Sequence, residues 1–387
     1  MSSIVITSLS AAIGLDIIPA PDPLGYPVPA WILQALSYFT LTLHLLAMNF
    51  TIGGSVILLW SMFSKKPDNK DIGRFFGAGL PLGVSYIVTL GIPPLLFVQV
   101  LYGQFFYSSS VLLGSFWIQV IPVLLLAYTG YYYHKFLRDT RPRLQWLVIL
   151  ASLILLLYVG YIYVNNLTLA MSPEKWSGLY KAYPGGGTLH HGEPTIHSRL
   201  LLFLSGAFAV AGIALIWRGA KFIKWGWQEL GRKSQQKGFK IFLISIPIWI
   251  IAAIGVYFSR PDEISTMLSL DNSKLLLGIG IVSAVFATLF AFLAVGKRGL
   301  IFPLISSLGV FGAVLSMVIF RDTVRIKELG PGFDLSAIPV NYQWGMFIIF
   351  VVTLVVGLAF LIFTFVKVFP ALAEKSRERL NKETAAV

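Results

Sequence analysis

The stretch WILQALSYFTLTLHLLAMNFTIGGSVILLWSMF occupies residues 31–63 and contains no Asp, Glu, Lys or Arg. An α-helix rises about 1.5 Å per residue, so about 20 consecutive apolar residues cross the hydrocarbon core of a bilayer. The stretch exceeds that length, and Lys65 and Lys66 follow it, where a helix would enter the headgroup layer. The sequence therefore predicts a membrane-spanning helix over residues 31–63.

Eight further runs have the same apolar character and carry charge only near their ends. They lie at approximately residues 77–101, 111–134, 144–166, 198–217, 241–258, 275–296, 299–320 and 343–366. Each is long enough to cross a lipid bilayer as a helix. We therefore predict an all-α integral membrane protein, built as a bundle of about nine transmembrane helices.

The composition agrees with a membrane protein. The 387 residues are 56% hydrophobic and only 12% charged, whereas soluble domains carry about 25% charged residues. The chain contains no cysteine, which excludes disulfides, cysteine-ligated zinc, iron–sulfur clusters and covalently attached c-type haem in this chain. A redox centre must therefore be held by His, Met or carboxylate side chains.

The net charge of +13 comes from 30 basic and 17 acidic residues. Most of the basic residues lie in the connections after predicted helices 1, 3, 5 and 7 and after the last helix, as the positive-inside rule requires of cytoplasmic segments. The charge thus predicts an outer N-terminus and a cytoplasmic C-terminus, not a nucleic-acid partner. We expect residues 1–30, which are rich in proline, to form an outer-face arm, residues 31–369 the bundle, and residues 370–387 a cytoplasmic tail.

Acidic residues are absent from all nine predicted runs. Ion-coupled transporters and proton pumps usually place a carboxylate or a charged pair within the membrane, where its desolvation cost marks a function. Their absence disfavours proton-coupled transport. A carrier of a neutral solute stays compatible with the sequence.

Three possible haem ligands lie near the predicted outer boundary. His44 is the only histidine or charged side chain well inside a run, His197 begins the fifth helix, and Met317 lies near the end of the eighth. Imidazole and thioether groups ligate low-spin haem iron, and arginines at the water boundary bind haem propionates. The propionate candidates are Arg199, Arg321 and Arg325. Hydrogen bonding or helix capping by the histidines, and packing by Met317, are the alternative interpretations.

The second predicted helix contains Gly91-Ile92-Pro93-Pro94. Two consecutive prolines remove two backbone donors, so we expect this helix to kink or unwind there. Amide and hydroxyl side chains follow at Gln99, Gln104 and Tyr107. An opened helix with such groups often lines a ligand cavity, and a kinked packing helix is the alternative.

Residues 39–54, FTLTLHLLAMNFTIGG, resemble the first helix of the large subunit of cytochrome bd quinol oxidases, in which a histidine followed by an apolar stretch and Thr-x-Gly ligates a high-spin haem. The segment from Gly91 to Gln104 is similar to the exit of the family's second helix. Ile196-His197 is similar to the start of its fifth helix, where a histidine ligates haem b. The resemblance is remote but extends over most of the bundle. It implies nine helices in a prokaryotic inner membrane, noncovalent haem b, and quinone or quinol as substrate.

The chain also departs from that family. The loop between helices 6 and 7, which binds quinol in the family, spans only about residues 259–274, and the proton-delivering carboxylates of helices 2 and 3 have no counterpart. The family's methionine partner for the helix 5 histidine has no clear match in helix 7, and only Met267, just before that helix, is available. Met317 ahead of Arg321-Asp322 replaces a glutamate of helix 8. The glutamate is a weak iron ligand, whereas the thioether of Met317 is a strong-field one. This replacement disfavours oxygen reduction.

These features predict a bd-like b-type cytochrome that transfers electrons between membrane quinone or quinol and an outer-face redox partner, such as a c-type cytochrome in a multi-subunit membrane complex. We expect one or two haem b groups, bound by some pairing of His44, His197 and Met317. A quinone pocket is expected near Gln99, Gln104 and Tyr107. The alternatives are a terminal bd-type quinol oxidase subunit and a haem-free membrane anchor or neutral-solute carrier.

Overall fold

The computed structural model describes residues 18–138, 140–330 and 333–385. The described residues are mostly helical, and their β-type pairing is an isolated parallel bridge between Tyr26 and Val340. The α-helices are α1 (Ala30–Met62), α2 (Pro67–Leu101), α3 (Gly103–Leu113), α4 (Ser115–Leu137), α5 (Pro142–Ala170), α6 (Trp176–Ala182), α7 (Ile196–Leu204), α8 (Gly206–Lys224), α9 (Gln228–Ser259), α10 (Pro261–Ser269), α11 (Asp271–Leu293), α12 (Ile301–Leu329) and α13 (Trp344–Ala385).

Within the described residues, nine helical segments are long and apolar enough to cross a membrane. They are α1, α2, α4, α5, α9, α11, α12, α13 up to Val368, and α7 together with α8, which adjoin at Ser205. The predicted all-α class and the predicted number of spans are therefore confirmed for this part of the chain. A bilayer is the environment that these helices imply.

Several helices extend beyond the uncharged runs that predicted them. α2 begins at Pro67 rather than near residue 77, α9 begins at Gln228 rather than near residue 241, and α13 continues to Ala385 through most of the predicted tail. An uncharged run marks the hydrocarbon layer, whereas a helix can continue into the headgroup layer, where charged side chains find water or partners. Residues 1–17 of the predicted arm and residues 386–387 of the predicted tail lie outside the described residues.

The sequence predicts a kink or unwinding at Gly91-Ile92-Pro93-Pro94. α2 remains helical through Pro93 and Pro94, so the unwinding is wrong and the kink stays a prediction. The helix ends at Leu101 instead, and Tyr102 leads directly into α3. Membrane helices tolerate proline where packing against neighbouring helices holds the chain in place. Pro94 is buried in this packing.

α1 is the central helix of the bundle and packs against α2, α5, α8 and α12. The most extensive helix pairs are α1 with α2, α4 with α5, α8 with α9, and α11 with α12. α8 and α9 approach closely at glycine: a Cβ atom at Gly212 would lie 2.5 Å from the carbonyl oxygen of Gly238. Small residues of this kind let helix backbones pack in lipid, where the hydrophobic effect does not drive helices together.

The two ends of the bundle differ in character. At one end, which we call the basic end, Lys and Arg cluster in the connections α1–α2, α4–α5 and α11–α12, and on the last turns of α8 and the first turns of α9. At the opposite end, the chain before α1 pairs with the α12–α13 connection, because Tyr26 N–H donates to Pro339 O and Asn341 N–H donates to Tyr26 O. The buried hydroxyl of Tyr26 donates to Leu101 O, which ties this pairing to the end of α2.

Among the residues whose burial the structure describes, three carboxylates are buried, although acidic residues are absent from the uncharged runs. Asp71 of α2 forms an ion pair with Arg218 of α8 at the basic end, and Glu193 and Asp322 lie at the opposite end. The guanidinium of Arg218 also lies over the ring of Phe222, 4.6 Å from its centroid. Each carboxylate occurs in a helix extension or a connection just outside a run, and each contacts a positive charge, which offsets the cost of its burial.

Candidate functional site

His44 of α1 faces α2, and its imidazole Nδ1 lies 3.0 Å from the carbonyl oxygen of Ile87. A carbonyl oxygen only accepts hydrogen bonds, so Nδ1 carries the hydrogen and donates it. The lone pair of Nε2 is then available to a metal ion. A histidine that ligates a metal usually donates its other ring N–H in this way, which fixes its tautomer and the orientation of its ring.

Gly91 of α2 lies directly against the imidazole of His44. A Cβ atom at position 91 would lie 2.9 Å from Cε1 of His44 and 3.0 Å from its Nδ1, which is closer than such atoms normally approach. The glycine of the Gly91-Ile92-Pro93-Pro94 motif is therefore explained by the space that the histidine requires. It does not mark an opening of the helix.

Met317 and His197 lie in different surroundings from His44. Met317 packs against an apolar cluster built by α1, α8, α9, α11 and α12, which includes Leu45 next to His44. His197 is exposed on α7 and stacks on Tyr161 of α5, with 6.0 Å between the ring centroids. In the described part of the chain, no hydrogen bond or ring contact joins His44, His197 and Met317 to one another.

Asp322 of α12 is buried and accepts hydrogen bonds from three side chains. Tyr38 Oη lies 2.7 Å from its Oδ2, Tyr102 Oη lies 3.1 Å from the same oxygen, and Arg325 Nη1 lies 3.0 Å from Oδ1. The guanidinium of Arg325 also lies 4.6 Å from the ring centroid of Tyr102. These contacts join α1, α12 and the α2–α3 junction at the opposite end of the bundle.

The three arginines predicted to bind propionates lie near one another. Arg321 interacts electrostatically with both Arg325 and Arg199, and its guanidinium lies 5.9 Å from the ring centroid of Phe203. Arg199 Nε donates to Thr195 Oγ1 at 2.7 Å. Within the described residues, neither Arg199 nor Arg321 forms an ion pair with a carboxylate.

This arginine cluster, Arg199, Arg321 and Arg325, has an excess of positive charge. Asp322 supplies one negative charge to the three positive ones, so two positive charges have no partner in the cluster. Positive charge in partly dry surroundings favours a bound anion. A cavity of about 10 Å³ beside Tyr102 and Arg325 has room for about one water molecule.

The structure adds Tyr38, Tyr102 and Asp322 to the site residues that the sequence predicts. The spacing of Asp322 and Arg325, three residues apart on one helix, is a signal that could have revealed their ion pair. No local pattern connects the tyrosines with Asp322, because they are separated from it by 284 and 220 positions along the chain.

The predicted quinone residues lie at the end of α2 and in α3. Tyr107 is 55% exposed, and Gln99 and Gln104 are half-buried. They line neither the cavity beside Arg325 nor a larger cavity at the basic end. The serines that follow join α3 to α5, because Ser109 Oγ donates to Asn166 Oδ1 at 3.1 Å.

A second polar network surrounds the connection between α6 and α7. His190 is buried there, with its Nδ1 3.2 Å from Thr168 Oγ1 and its Nε2 3.1 Å from Lys175 Nζ. Burial, together with the positive charge of Lys175, lowers the pKa of His190 to about 4. The imidazole is therefore neutral at pH 7, accepts from Lys175 at Nε2 and donates to Thr168 from Nδ1.

Glu193 belongs to the same network and is buried. Burial alone would raise the pKa of Glu193, but hydrogen bonds from Thr195 and the charge of Arg260 outweigh burial and lower it. Arg260 also lies near Glu328 of α12, with 3.8 Å between Nη1 and Oε1. In the part of the chain that the structure describes, no group of three or more His, Asp or Glu side chains is arranged to hold a metal ion.

Comparison with known proteins identifies no family for the chain. No protein-family model and no curated protein matches it.

Proposed function

We propose that the chain is a bd-like b-type cytochrome of a prokaryotic inner membrane. It transfers electrons between membrane quinone or quinol and a redox partner at the outer face, such as a c-type cytochrome in a multi-subunit complex. In this proposal the basic end faces the cytoplasm and the opposite end faces outward, in keeping with the positive-inside rule.

The observation that carries the proposal is the hydrogen bond from His44 Nδ1 to the carbonyl of Ile87. In the tautomer that this hydrogen bond selects, the lone pair of Nε2 is available to a metal ion, and Gly91 leaves space for the imidazole. An imidazole held in this way inside an apolar helix bundle, in a chain without cysteine, suits noncovalent haem.

The charge of the arginine cluster supports the same proposal. A haem carries two propionate carboxylates, and the cluster has two positive charges beyond the one that Asp322 offsets. Arginine binds carboxylates through two parallel hydrogen bonds, and Arg199 and Arg321 have no carboxylate partner within the described residues. The donor set at this end therefore fits the group.

Bound haem would supply one-electron chemistry at its iron. The chain's own side chains would bind and orient it: His44 would ligate the iron, and the arginine cluster would bind the propionates. His197 and Met317 stay candidates for a second ligand to the iron or for a second haem. His197 is accessible for this role because it is exposed on α7.

The test is a reduced-minus-oxidised absorption spectrum of the purified full chain. We expect a b-type α-band, and we expect His44→Ala to abolish or strongly reduce it. His191→Ala is the matched control, because His191 is an exposed histidine in the α6–α7 connection. Absence of the band from the wild-type chain, or a band unchanged in both His44→Ala and His197→Ala, would contradict the proposal.

A terminal quinol oxidase subunit is the second candidate, and the buried carboxylate of Asp322 favours it. Oxygen reduction consumes protons, and Asp322 with its partners Tyr38 and Tyr102 forms a chain of groups that can exchange protons. Quinol-dependent oxygen consumption together with a high-spin haem band would favour this candidate. Cytochrome reduction by quinol without oxygen consumption would favour the electron-transfer subunit.

A further inference from the structure

The basic end contains a cavity of about 910 Å³, far from His44 and the arginine cluster. It lies where the end of α1 and the start of α2 meet the end of α4 and the start of α5. Cavities of about 300–1,000 Å³ typically hold organic ligands. The proposed electron transfer at the opposite end leaves this cavity without a role.

Part of the wall is apolar. Leu58 and Met62 of α1 and Leu147 of α5 line the cavity together with Phe63 and Trp146. The rings of Phe63 and Trp146 pack edge to face, with 5.7 Å between their centroids. A wall of this composition stabilises a bound hydrocarbon chain, because it removes apolar surface from water. It does not stabilise a hydrated inorganic ion.

The rest of the wall is positively charged. Five basic side chains line the cavity, and no Asp or Glu occurs among its described lining residues. The five are Lys70, Arg74, Lys135, Arg138 and Arg143. The N-terminus of α5 borders the cavity as well, since Pro142 is the first residue of that helix, and helix N-termini favour anions.

Trp146 and His134 also line the cavity. The indole Nε1–H of Trp146 is buried and has no hydrogen-bond partner among the described residues. A buried donor without an acceptor is costly, so an acceptor supplied by a ligand would stabilise it. His134 of α4 contacts α2 in this wall, because its Nε2 lies 2.8 Å from the carbonyl oxygen of Gly77.

We propose that this cavity binds an anionic phospholipid. The phosphate lies against the basic side chains and accepts a hydrogen bond from Trp146 Nε1, and an acyl chain lies against the apolar wall formed by Leu58, Met62 and Leu147. Basic pockets between membrane helices are suited to acidic lipid headgroups, because charge attraction and hydrocarbon burial act together there. A free phosphate ion shares only the first of these contributions and fills little of the cavity.

The experiment measures lipid binding to the full-length chain in detergent micelles by native mass spectrometry. Phosphatidylglycerol, phosphatidylcholine and inorganic phosphate are titrated separately, so that the two sources of phosphate and the effect of headgroup charge are distinguished. We expect phosphatidylglycerol to bind at least about tenfold more tightly than phosphatidylcholine, since several basic residues each contribute about fivefold near an anionic headgroup.

The variant Lys70→Gln/Arg143→Gln removes two positive charges from the cavity, and we expect it to weaken phosphatidylglycerol binding about 30-fold. The matched control is Lys224→Gln/Arg232→Gln, which removes one Lys and one Arg at the same end of the bundle, outside the cavity. We expect this control to bind phosphatidylglycerol as the wild type does. Trp146→Phe keeps an aromatic ring but loses the N–H, and we expect about fivefold weaker binding.

Three results would overturn the proposal. Equal affinity for phosphatidylglycerol and phosphatidylcholine would exclude recognition of the anionic headgroup. Equal weakening by the cavity variant and its matched control would reduce the effect to general surface charge. Saturable binding of inorganic phosphate that depends on Lys70 and Arg143, without a preference for phosphatidylglycerol, would assign the site to a free anion. Far-ultraviolet circular dichroism of each variant verifies that its helices are formed.

Discussion

The hydroxyl of Tyr38 in α1 donates a hydrogen bond to Asp322 in α12 across 2.7 Å. Hydrogen bonds to charged groups contribute about 1.5–3 kcal/mol in soluble proteins, and side-chain hydrogen bonds between membrane helices contribute about 0.6 kcal/mol on average. We therefore expect Tyr38→Phe to lower the free energy of unfolding of the full chain by about 1 kcal/mol. Tryptophan fluorescence during denaturant-induced unfolding in detergent micelles measures this change.

The matched control for Tyr38→Phe is Tyr107→Phe, because Tyr107 is 55% exposed. We expect no change in stability from that control. Asp322→Asn has a larger expected cost, about 3–5 kcal/mol, because it leaves the buried Arg325 without its counter-charge. A Tyr38→Phe variant as stable as Tyr107→Phe would mean that the Tyr38–Asp322 contact does not stabilise the bundle.

The buried ion pair between Asp71 and Arg218 is expected to be essential for the packing of α2 against α8. Arg218 is 1% exposed, so removing its partner leaves a charge that water cannot reach. We expect Asp71→Asn to lower the free energy of unfolding by about 3–5 kcal/mol. The same unfolding assay in detergent micelles measures this effect.

An exposed ion pair provides the control for Asp71→Asn. Glu229 and Lys233 lie one turn apart on α9 with 2.6 Å between their charged atoms, and Glu229 is exposed to solvent. We expect Glu229→Gln to leave stability unchanged, because exposed pairs are well solvated. The double variant Asp71→Leu/Arg218→Met should recover part of the loss, since it removes both buried charges. A double variant less stable than Asp71→Asn would contradict this account.

The fold could be predicted from the sequence because a bilayer requires each membrane-spanning helix to contain about 20 apolar residues. Uncharged runs of sufficient length predicted all nine candidate spans, yet they placed the start of α2 ten residues late and that of α9 thirteen residues late. Those extensions contain Asp71 and Lys237, whose partners lie on other helices. A search for uncharged runs identifies the residues that cross the hydrocarbon layer. It does not identify the helical turns beyond that layer, whose charged side chains form ion pairs with other helices.

The candidate site could be predicted only in part, because contacts between residues on different helices are not specified by the sequence of either helix. The arginine cluster follows from basic residues near predicted span ends, and the structure brings Arg199, Arg321 and Arg325 close together. The contact of His44 with Ile87 and the contact of Tyr38 with Asp322 both depend on how two helices are rotated against each other. A single sequence does not specify that rotation, because the spans are apolar on all sides.

Gly91→Ala tests the contact between α2 and His44. The added Cβ would lie 2.9 Å from Cε1 of His44, so the imidazole or the helix must shift. Overpacking of this kind costs about 1–3 kcal/mol of stability. Under the proposed function, we also expect the shifted ligand to reduce or displace the b-type α-band, which the reduced-minus-oxidised spectrum measures.

Gly160→Ala is the control for Gly91→Ala. A Cβ atom at Gly160 of α5 would lie 3.6 Å from Cδ1 of Leu200, which is an ordinary contact. Alanine also favours the helix over glycine by about 1 kcal/mol, so we expect unchanged or slightly higher stability. If both alanine variants had the same stability and the same spectrum, the close approach of Gly91 to His44 would have no consequence.

The buried imidazole of His190 predicts a loss of stability in mild acid. The pKa of His190 is lowered from 6.5 to about 4 by burial and by the charge of Lys175. Between these two pH values the unfolded chain binds a proton that the folded chain does not, so the free energy of unfolding falls as the pH falls. The loss begins near pH 6.5, is complete near pH 4, and amounts to no more than about 3 kcal/mol.

His190→Gln separates this effect from that of the neighbouring Glu193, whose lowered pKa makes it lose stabilisation in more acidic solution, below its ordinary value of 4.5. We expect His190→Gln to flatten the pH dependence of stability between pH 6.5 and 4, since glutamine does not titrate. The exposed His191 is the control, and His191→Gln should leave that pH dependence as in the wild type. Equal flattening by both variants would show that burial of His190 is not its cause, because only His190 is buried between Lys175 and Thr168.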